Sequence, residues 1–314
     1  MKLSARLTLA IGALAGGLAA HPGAAQSIAT LGGPLNGPGT IALDSLGDVF
    51  VTTVDANVDE ITKAGGYATA TALGGGLSQP TSIAIDAAGD VFVLDTAHNA
   101  VREYMASDRF VTVNTYTGSF SQPNGIALDS SGNLFVADTG NGVVKELASP
   151  NYTTVTAVGS GFTAPHGVAI DSSNNLYVAD AGKNAVYKAL AAGGYTSIGS
   201  VATGLNAPGA VAVDTHGNVF IADSGNNAVK EVPAGGAIKT LAAASPTRPA
   251  SRSTAAATFS SAIPATTTSK RFRSAAARWS ISGLAPASSK HRQALQSTAA
   301  ATCSSPIPAT MPSS

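Results

Sequence analysis

The sequence predicts an all-β chain of repeated four-stranded units followed by a disordered tail, and three observations carry that expectation. A proline-led segment occurs five times: PGTIALDSLGDVFVT from Pro38, PTSIAIDAAGDVFVLD from Pro80, PNGIALDSSGNLFVAD from Pro123, PHGVAIDSSNNLYVAD from Pro165 and PGAVAVDTHGNVFIAD from Pro208. The aspartates that close the first apolar run are Asp44, Asp86, Asp129, Asp171 and Asp214, spaced by 42, 43, 42 and 43 residues. From residue 243 onward this pattern stops, no acidic residue remains, and Gly283 is the single glycine.

Each unit reads as a small antiparallel meander. GIALD is a short run of apolar and small residues, suited to a buried inner strand. SSGN is a turn with Gly or Asn where positive φ is needed. LFVAD is a second strand rich in β-formers, and TGNN is a second turn. AVKEL alternates apolar and polar residues, as a half-exposed third strand does. A segment such as YTTVTAV supplies a fourth strand, and a Gly-rich link leads to the next Pro. Four strands at a period near forty residues is the pattern of a β-propeller blade. The Gly, Asn and β-branched content speaks against a helical repeat of similar period.

The third to fifth units follow the pattern P-x-G-I-A-V-D-x-x-G-N-x-Y-V-A-D-T-G-N-N-R-V almost slot by slot. In this the chain resembles the NHL-repeat β-propeller family, over about residues 34–242. The resemblance implies a propeller of NHL-type blades; it implies little about ligand. The first unit departs from the pattern: VTTVDANV stands where the family has VADTGNNRV, with one residue deleted and Thr53 at the Asp slot. The family's Arg is replaced by Ala100, Val143, Ala185 and Ala228. The segment SIATLGGPLNGP before the first unit looks like the end of a unit. It is expected to complete the last blade, which would leave no open seam.

The two ends of the chain read differently from the repeats. Lys2 and Arg6 precede the apolar run LTLAIGALAGGLAA, which is short for a bilayer span. Small residues follow, so residues 1–25 are expected to form a signal peptide cleaved after Ala25, sending the protein to the periplasm or outside. No later segment is long and apolar enough to span a membrane. Cys303 is the lone cysteine, which excludes an intrachain disulfide.

The tail carries an echo of its own. STAAATFSSAIPATTTSKR starts at Ser253 and STAAATCSSPIPATMPSS at Ser297, 44 residues apart. Taking the third base of each codon with the first two of the next, the stretch from Ser297 permits DSSGNVFIADTGNNAV. Met311–Pro312 then forces Ala at the slot that Ala228 fills in the fifth unit. The stretch from Ser253 permits DSSGNVFI, then Gly or Ser in place of Ala, then DTGNN, Asn or Asp at the next slot, and VKE, so that two slots miss the consensus. Residues 243–314 are therefore expected to be a frameshifted continuation of the repeats, written as a low-complexity basic tail that is disordered. The intact frame would give seven units if the ring closes here, and more if the repeats continue beyond; the chain as written would form an open arc or a strained closure.

Charge bounds function. Residues 26–242 hold eight Lys/Arg against all eighteen Asp/Glu, a balance of −10. Phosphate contact needs clustered Lys/Arg, so nucleic-acid binding is not expected of the propeller body. In an up-and-down blade the start of strand one and the end of strand two lie at one end. The candidate ligand-binding face therefore carries Thr81, Asn124 and His166, with Gly39 and Gly209 in the other units, and Asp95, Asp138, Asp180 and Asp223 beside them. Loops on a rigid scaffold are where function concentrates. No other unit supplies a His at the slot of His166, and His98 and His216 fall in different turns, so a metal constellation is missing. Asp44, Asp86, Asp129, Asp171 and Asp214 are expected to cap their own turns, since one carboxylate and an amide are too few for a calcium shell. No catalytic residue, metal ligand or cofactor is assigned. The expected role is a monomeric exported binding or scaffold module for a protein, peptide or glycan. The alternatives are a metal-assisted propeller lyase or lactonase, which alone would call for a divalent metal, and a nonfunctional fragment of a complete propeller.

Overall fold

The computed structural model describes residues 8–9 and 29–243. The expected signal peptide, apart from Thr8–Leu9, and the expected frameshifted tail, apart from Ala243, lie outside the described residues. A two-residue ladder joins β1 (Thr8–Leu9) to β2 (Ala29–Thr30). Twenty strands then form five four-stranded antiparallel sheets, each in sequence order.

Blade 1 is β3 (Pro38–Leu43), β4 (Val49–Thr53), β5 (Val58–Ile61) and β6 (Thr71–Gly74). Blade 2 is β7 (Pro80–Ile85), β8 (Val91–Asp95), β9 (Ala100–Tyr104) and β10 (Val113–Tyr116). Blade 3 is β11 (Gly125–Leu128), β12 (Leu134–Asp138), β13 (Val143–Leu147) and β14 (Val155–Val158). Blade 4 is β15 (Pro165–Ile170), β16 (Leu176–Asp180), β17 (Ala185–Ala189) and β18 (Ile198–Ala202). Blade 5 is β19 (Pro208–Val213), β20 (Val219–Asp223), β21 (Ala228–Val232) and β22 (Lys239–Ala243). Among the described residues no helix is long and apolar enough to cross a membrane.

The second strand is buried along its whole length in every blade. That burial explains its unbroken apolar run: a strand covered on both faces has no solvent side on which to place alternating polar residues. The fourth strands β6, β10, β14 and β22 are mostly exposed or half-exposed, and Thr, Asn and Lys on them blunt free edges. The core is a series of inter-blade layers. One packs Phe92, Val101, Leu134 and Val136 between blades 2 and 3; another packs Phe135, Val144, Val168 and Val178 between blades 3 and 4.

The turn between strands one and two repeats to the atom. The Asp86 backbone N–H bonds the Asp90 carbonyl, and the Gly89 N–H bonds the Asp86 carbonyl. Gly47, Gly89, Gly132 and Gly217 take φ of 79–91°, and Asn174 takes 60° in the fourth unit. Asn tolerates that left-handed conformation, which is why SSNN substitutes for SSGN.

Inner strands stand side by side in the order β3, β7, β11, β15, β19. Their approach is close enough to dictate small residues. A Cβ built on Gly125 would come within 2.4 Å of the His166 carbonyl oxygen, and one on Gly167 within 2.7 Å of the Ala210 Cα. Among the described residues, β19 has no contact with β3 of the kind that joins successive inner strands.

The segment ahead of blade 1 does not complete the last blade. Blade 5 draws its fourth strand, β22, from its own unit, and β2 pairs with β1 instead. Leu31 and Leu35 are buried against Val49, Val51 and Ile61 of blade 1. Leu205 makes the corresponding contact with blade 5, packing with Val211 and Val219. The segment thus sits on blade 1 as the end of any unit sits on the next. With the fourth position in blade 5 already filled, no sheet among the described residues offers it a place.

Candidate ligand-binding face

The aspartate that ends strand two anchors this face in four blades. Asp95, Asp138, Asp180 and Asp223 are each 0% exposed. Asp138 accepts the Ser121 backbone N–H at 2.7 Å, the Asn141 Nδ2 at 2.7 Å and the Lys145 Nζ at 2.7 Å. Asp223 repeats the set with Asn206 N at 2.7 Å, Asn226 Nδ2 at 2.8 Å and Lys230 Nζ at 2.6 Å. Burial by itself would raise the Asp223 carboxyl, but the bonds from Lys230, Asn226 and Asn206 outweigh it and hold the group below the usual carboxylate range. Asp95 takes Ser78 N at 2.8 Å, His98 Nδ1 at 2.8 Å and Arg102 Nε at 2.9 Å.

Asp180 has no basic partner of this kind, because Tyr187 occupies the slot that holds Arg102, Lys145 and Lys230. It is satisfied by backbone N–H groups of Thr163 and Ala164, both at 2.9 Å, of Gly182 at 3.1 Å and of Lys183 at 3.3 Å. All four carboxylates therefore tie the incoming link to the outgoing turn, and point into the blade. Blade 1 lacks the device. Thr53 stands at the acid slot and its Oγ1 is buried without a hydrogen-bond partner. Asp59 stands at the basic slot, pushed up by burial and then by the nearby Asp55 charge.

The loop side chains on this face are half-buried Thr81, Asn124 and His166. Thr81 Oγ1 lies 2.5 Å from Thr96 Oγ1, which donates to the Pro123 carbonyl of the next blade at 2.8 Å. Thr139 makes the same step to the Pro165 carbonyl at 2.6 Å. His166 is the second residue of β15, next to Pro165, which pairs opposite Asp180. Burial holds its pKa below the ordinary histidine value, and the Asp180 charge partly offsets that. Exposed Lys183 shares the face, its Nζ 5.8 Å from the centre of the Tyr187 ring. Among the described residues no group of three or more His, Cys, Asp or Glu converges to hold a metal ion.

The first-turn aspartates lie at the other end of the blades. Asp44, Asp86, Asp129, Asp171 and Asp214 each accept backbone N–H groups two and four residues ahead through one carboxylate oxygen, at 2.8–3.0 Å. Asp171 also faces Lys188 Nζ at 3.1 Å. Its burial is offset first by the Asn175 side-chain bond, and the carboxyl is held low.

Two features escape a reading of the motifs. The basic residue seven places after the strand-two Asp is legible as spacing (DTAHNAVR, DTGNGVVK, DSGNNAVK), yet only the fold shows that it neutralises that Asp. The second is an aromatic clasp between blades. Phe50 meets Phe110, Phe92 meets Tyr152 and Phe135 meets Tyr195, with ring centres 5.7, 5.4 and 5.3 Å apart and edge-to-face angles of 71–75°. Phe110, Tyr152 and Tyr195 hold φ of 53–65°, which swings each ring back toward the preceding blade.

Residues 120–145 and 162–186 match the family model of the NHL repeat. No curated protein matches the chain by sequence. Among solved structures, a streptogramin B lyase is similar with TM-score 0.58 at 14% identity, over 68% of this chain and 71% of that one. Virginiamycin B lyase from Staphylococcus aureus gives TM-score 0.56 at 16% identity, over 67% and 71%. A chain in the nidogen/laminin complex gives TM-score 0.56 at 20% identity, over 62% and 75%. Likeness at these identities is likeness of fold. With NHL-repeat matches in its third and fourth units and the same blade built five times over, the chain carries NHL repeats within a five-bladed β-propeller architecture.

Proposed function

We propose that this is an exported NHL-repeat propeller that works as a binding or scaffold module, taking a protein, peptide or glycan on the face that carries Thr81, Asn124 and His166. One observation supports this above others: the four aspartates of that face are buried and bonded into the blade. What remains for a ligand is hydroxyl, amide and imidazole groups, the exposed Lys183 ammonium and exposed link backbone, a surface suited to hydrogen bonding. Fold likeness to a chain of a nidogen/laminin complex supports a protein as the ligand. Export rests on the leader-like first 25 residues.

A metal-assisted lyase is the second reading, favoured by fold likeness to streptogramin lyases and by a half-buried His166. The donor set does not fit a metal, because the nearest carboxylate, Asp180, already accepts four backbone N–H groups. The test uses the full chain, screened against peptide and glycan arrays and dialysed in parallel against Mg2+, Mn2+ and Zn2+. Array binding lost in an Asn124→Ala/His166→Ala variant supports the module. Stoichiometric metal retention lost in His166→Ala overturns it in favour of the lyase. Array binding unaffected by the double variant moves the ligand away from this face. Sequencing the gene across codons 235–255 decides whether the chain is instead a fragment of a longer propeller.

A further inference from the structure

At the opposite end of the blades, a cleft of about 520 Å³ opens between blades 2 and 3. Its walls carry Asp86, Asp90, Glu103, Asn114, Tyr116 and Tyr152. A second cleft of about 460 Å³ shares Asp86 and Tyr152 with it and has an apolar floor of Ile85, Leu128 and Ile170. No basic side chain lines either cleft.

The carboxylates here are built in, not left over at a surface. Asp90 is 9% exposed and Glu103 5%. Asp90 Oδ1 accepts the Ala106 N–H at 2.7 Å. Glu103 Oε2 accepts Asn114 Nδ2 at 2.7 Å and the Tyr116 hydroxyl at 2.6 Å. The other oxygen of each, and Asp86 Oδ2, accepts nothing from the described residues.

The other blades show what belongs at these positions. Where blade 2 has Asp90, blades 3 to 5 have Asn133, Asn175 and Asn218, whose Nδ2 donates to the turn aspartate at 2.8–3.1 Å. At the register of Glu103, blades 1, 3 and 5 carry a glutamate as well (Glu60, Glu146 and Glu231), and blade 4 has Lys188, whose ammonium sits 3.1 Å from Asp171. Blade 2 has thus replaced the amide donor of blades 3 to 5 by an acid and lacks the ammonium of blade 4, so three acids meet at its turn. Blade 1 carries the same acids at Asp44, Asp48 and Glu60, but Lys63 lies across its turn at Gly47. The blade 2 trio borders a cleft with no basic side chain in its walls. Burial, followed by the charges of Glu103, Asp86 and Asp90, raises the Tyr152 hydroxyl to about 12, which reports the same negative field.

A calcium ion would need oxygens converging at about 2.3–2.6 Å. Among the described residues no acid group converges in that way. A cleft of this size with an apolar floor suits a longer cation. We propose that the paired clefts form a second binding site for a lysine or arginine side chain of a peptide. Its charged head would lie among Asp86, Asp90 and Glu103, and its aliphatic stem along Tyr152 and the apolar floor.

Calorimetric titration of the full chain with Nα-acetyl-lysine amide, Nα-acetyl-arginine amide and neutral Nα-acetyl-norleucine amide tests this. Two variants borrow residues from the other blades: Asp90→Asn restores the amide donor, and Glu103→Lys supplies the ammonium internally. Cationic probes are expected to bind and the neutral one not, with affinity falling as salt rises. Asp90→Asn should weaken binding about tenfold or more, and Glu103→Lys should abolish it. Asp90→Asn should melt no lower than the parent, so it carries the test alone if Glu103→Lys fails to fold. Absence of cation binding by the parent, equal binding of norleucine amide, or parent-like affinity in Asp90→Asn overturns the proposal.

Discussion

Asp138 is a candidate ligand-face residue whose geometry gives it another task, and its removal separates the two. Asp138→Ala deletes an acceptor that is 0% exposed and takes three donors, each at 2.7 Å. It strands the Ser121 N–H, and it leaves the Lys145 ammonium, 15% exposed, without its counter-charge. Rupture of a buried pair by removing one partner costs about 3–5 kcal/mol. Lys145 keeps the Gly118 and Ser119 carbonyls at 3.0 and 2.9 Å, which places the loss near the lower figure. A loss of about 3 kcal/mol moves a urea midpoint down by about 1 M or more, given slopes of about 1–3 kcal/mol per molar. The assay is urea unfolding of the parent, Asp138→Ala, Lys145→Ala and the double variant. Because the two groups share one bond, the double variant should lose less than the sum of the singles, with a coupling of about 1–3 kcal/mol. A midpoint unmoved by Asp138→Ala, or a coupling below about 0.5 kcal/mol, refutes the structural assignment and returns Asp138 to the ligand face.

Gly167→Ala should destabilise by about 1–3 kcal/mol, since its Cβ would meet backbone at Ala210 and Gly209 that cannot rotate away. Gly199→Ala, which meets nothing within 4 Å, is the control, and equal melting of the two variants refutes the close packing of inner strands. His166 predicts a pH effect. Burial lowers its pKa, so the unfolded chain takes up its proton first, at about pH 6.5. Stability should fall as pH drops through about 6.5 and level off below the folded pKa, and His166→Asn should flatten that slope. Asp171 and Asp223 act lower, their lowered pKa values giving stability that is present above about pH 3.9 and lost as the pH falls further. Melting of the parent and His166→Asn across this range checks both, and identical profiles near neutrality remove His166 from the account.

The blade was legible because its rules are local. A turn that needs positive φ at its fourth residue shows as DSSGN, and a strand buried on both faces shows as LFVAD. What lay hidden was everything that joins one unit to another or one face to its function. Tyr152 and Tyr195 read as residues of a fourth-strand approach, and no periodicity announces that left-handed backbone turns them onto Phe92 and Phe135. Glu103 reads as the polar half of an alternating strand. Its meaning comes from a neighbour 13 residues away, Tyr116, and from comparison with Lys188 at the same register in another sheet. The seat of Leu31 and Leu35 on blade 1 was hidden for the same reason, since both lie far from Ile61 in sequence.

Blade 1 puts the link between repeat pattern and physics to its hardest trial. Its one-residue deletion leaves the cross-strand register intact: Asp59 pairs opposite Val51 as Arg102 pairs opposite Val93. The slots for the buried ion pair are therefore present and hold Thr53 and Asp59. Restoring the pair calls for both changes together. Thr53→Asp alone would bury a carboxylate beside Asp59 and Asp55 and should destabilise, by like-charge repulsion added to desolvation. Asp59→Lys alone removes a carboxyl already raised by burial and should be nearly neutral. Together they recreate the arrangement of Asp138 and Lys145, and the double variant should recover the loss of Thr53→Asp and melt at or above the parent. Thermal melts of the four proteins give the answer in one cycle. A double variant as unstable as Thr53→Asp would mean that the deletion, by reshaping the turn around Asn57, has moved the acid slot out of reach of the basic one.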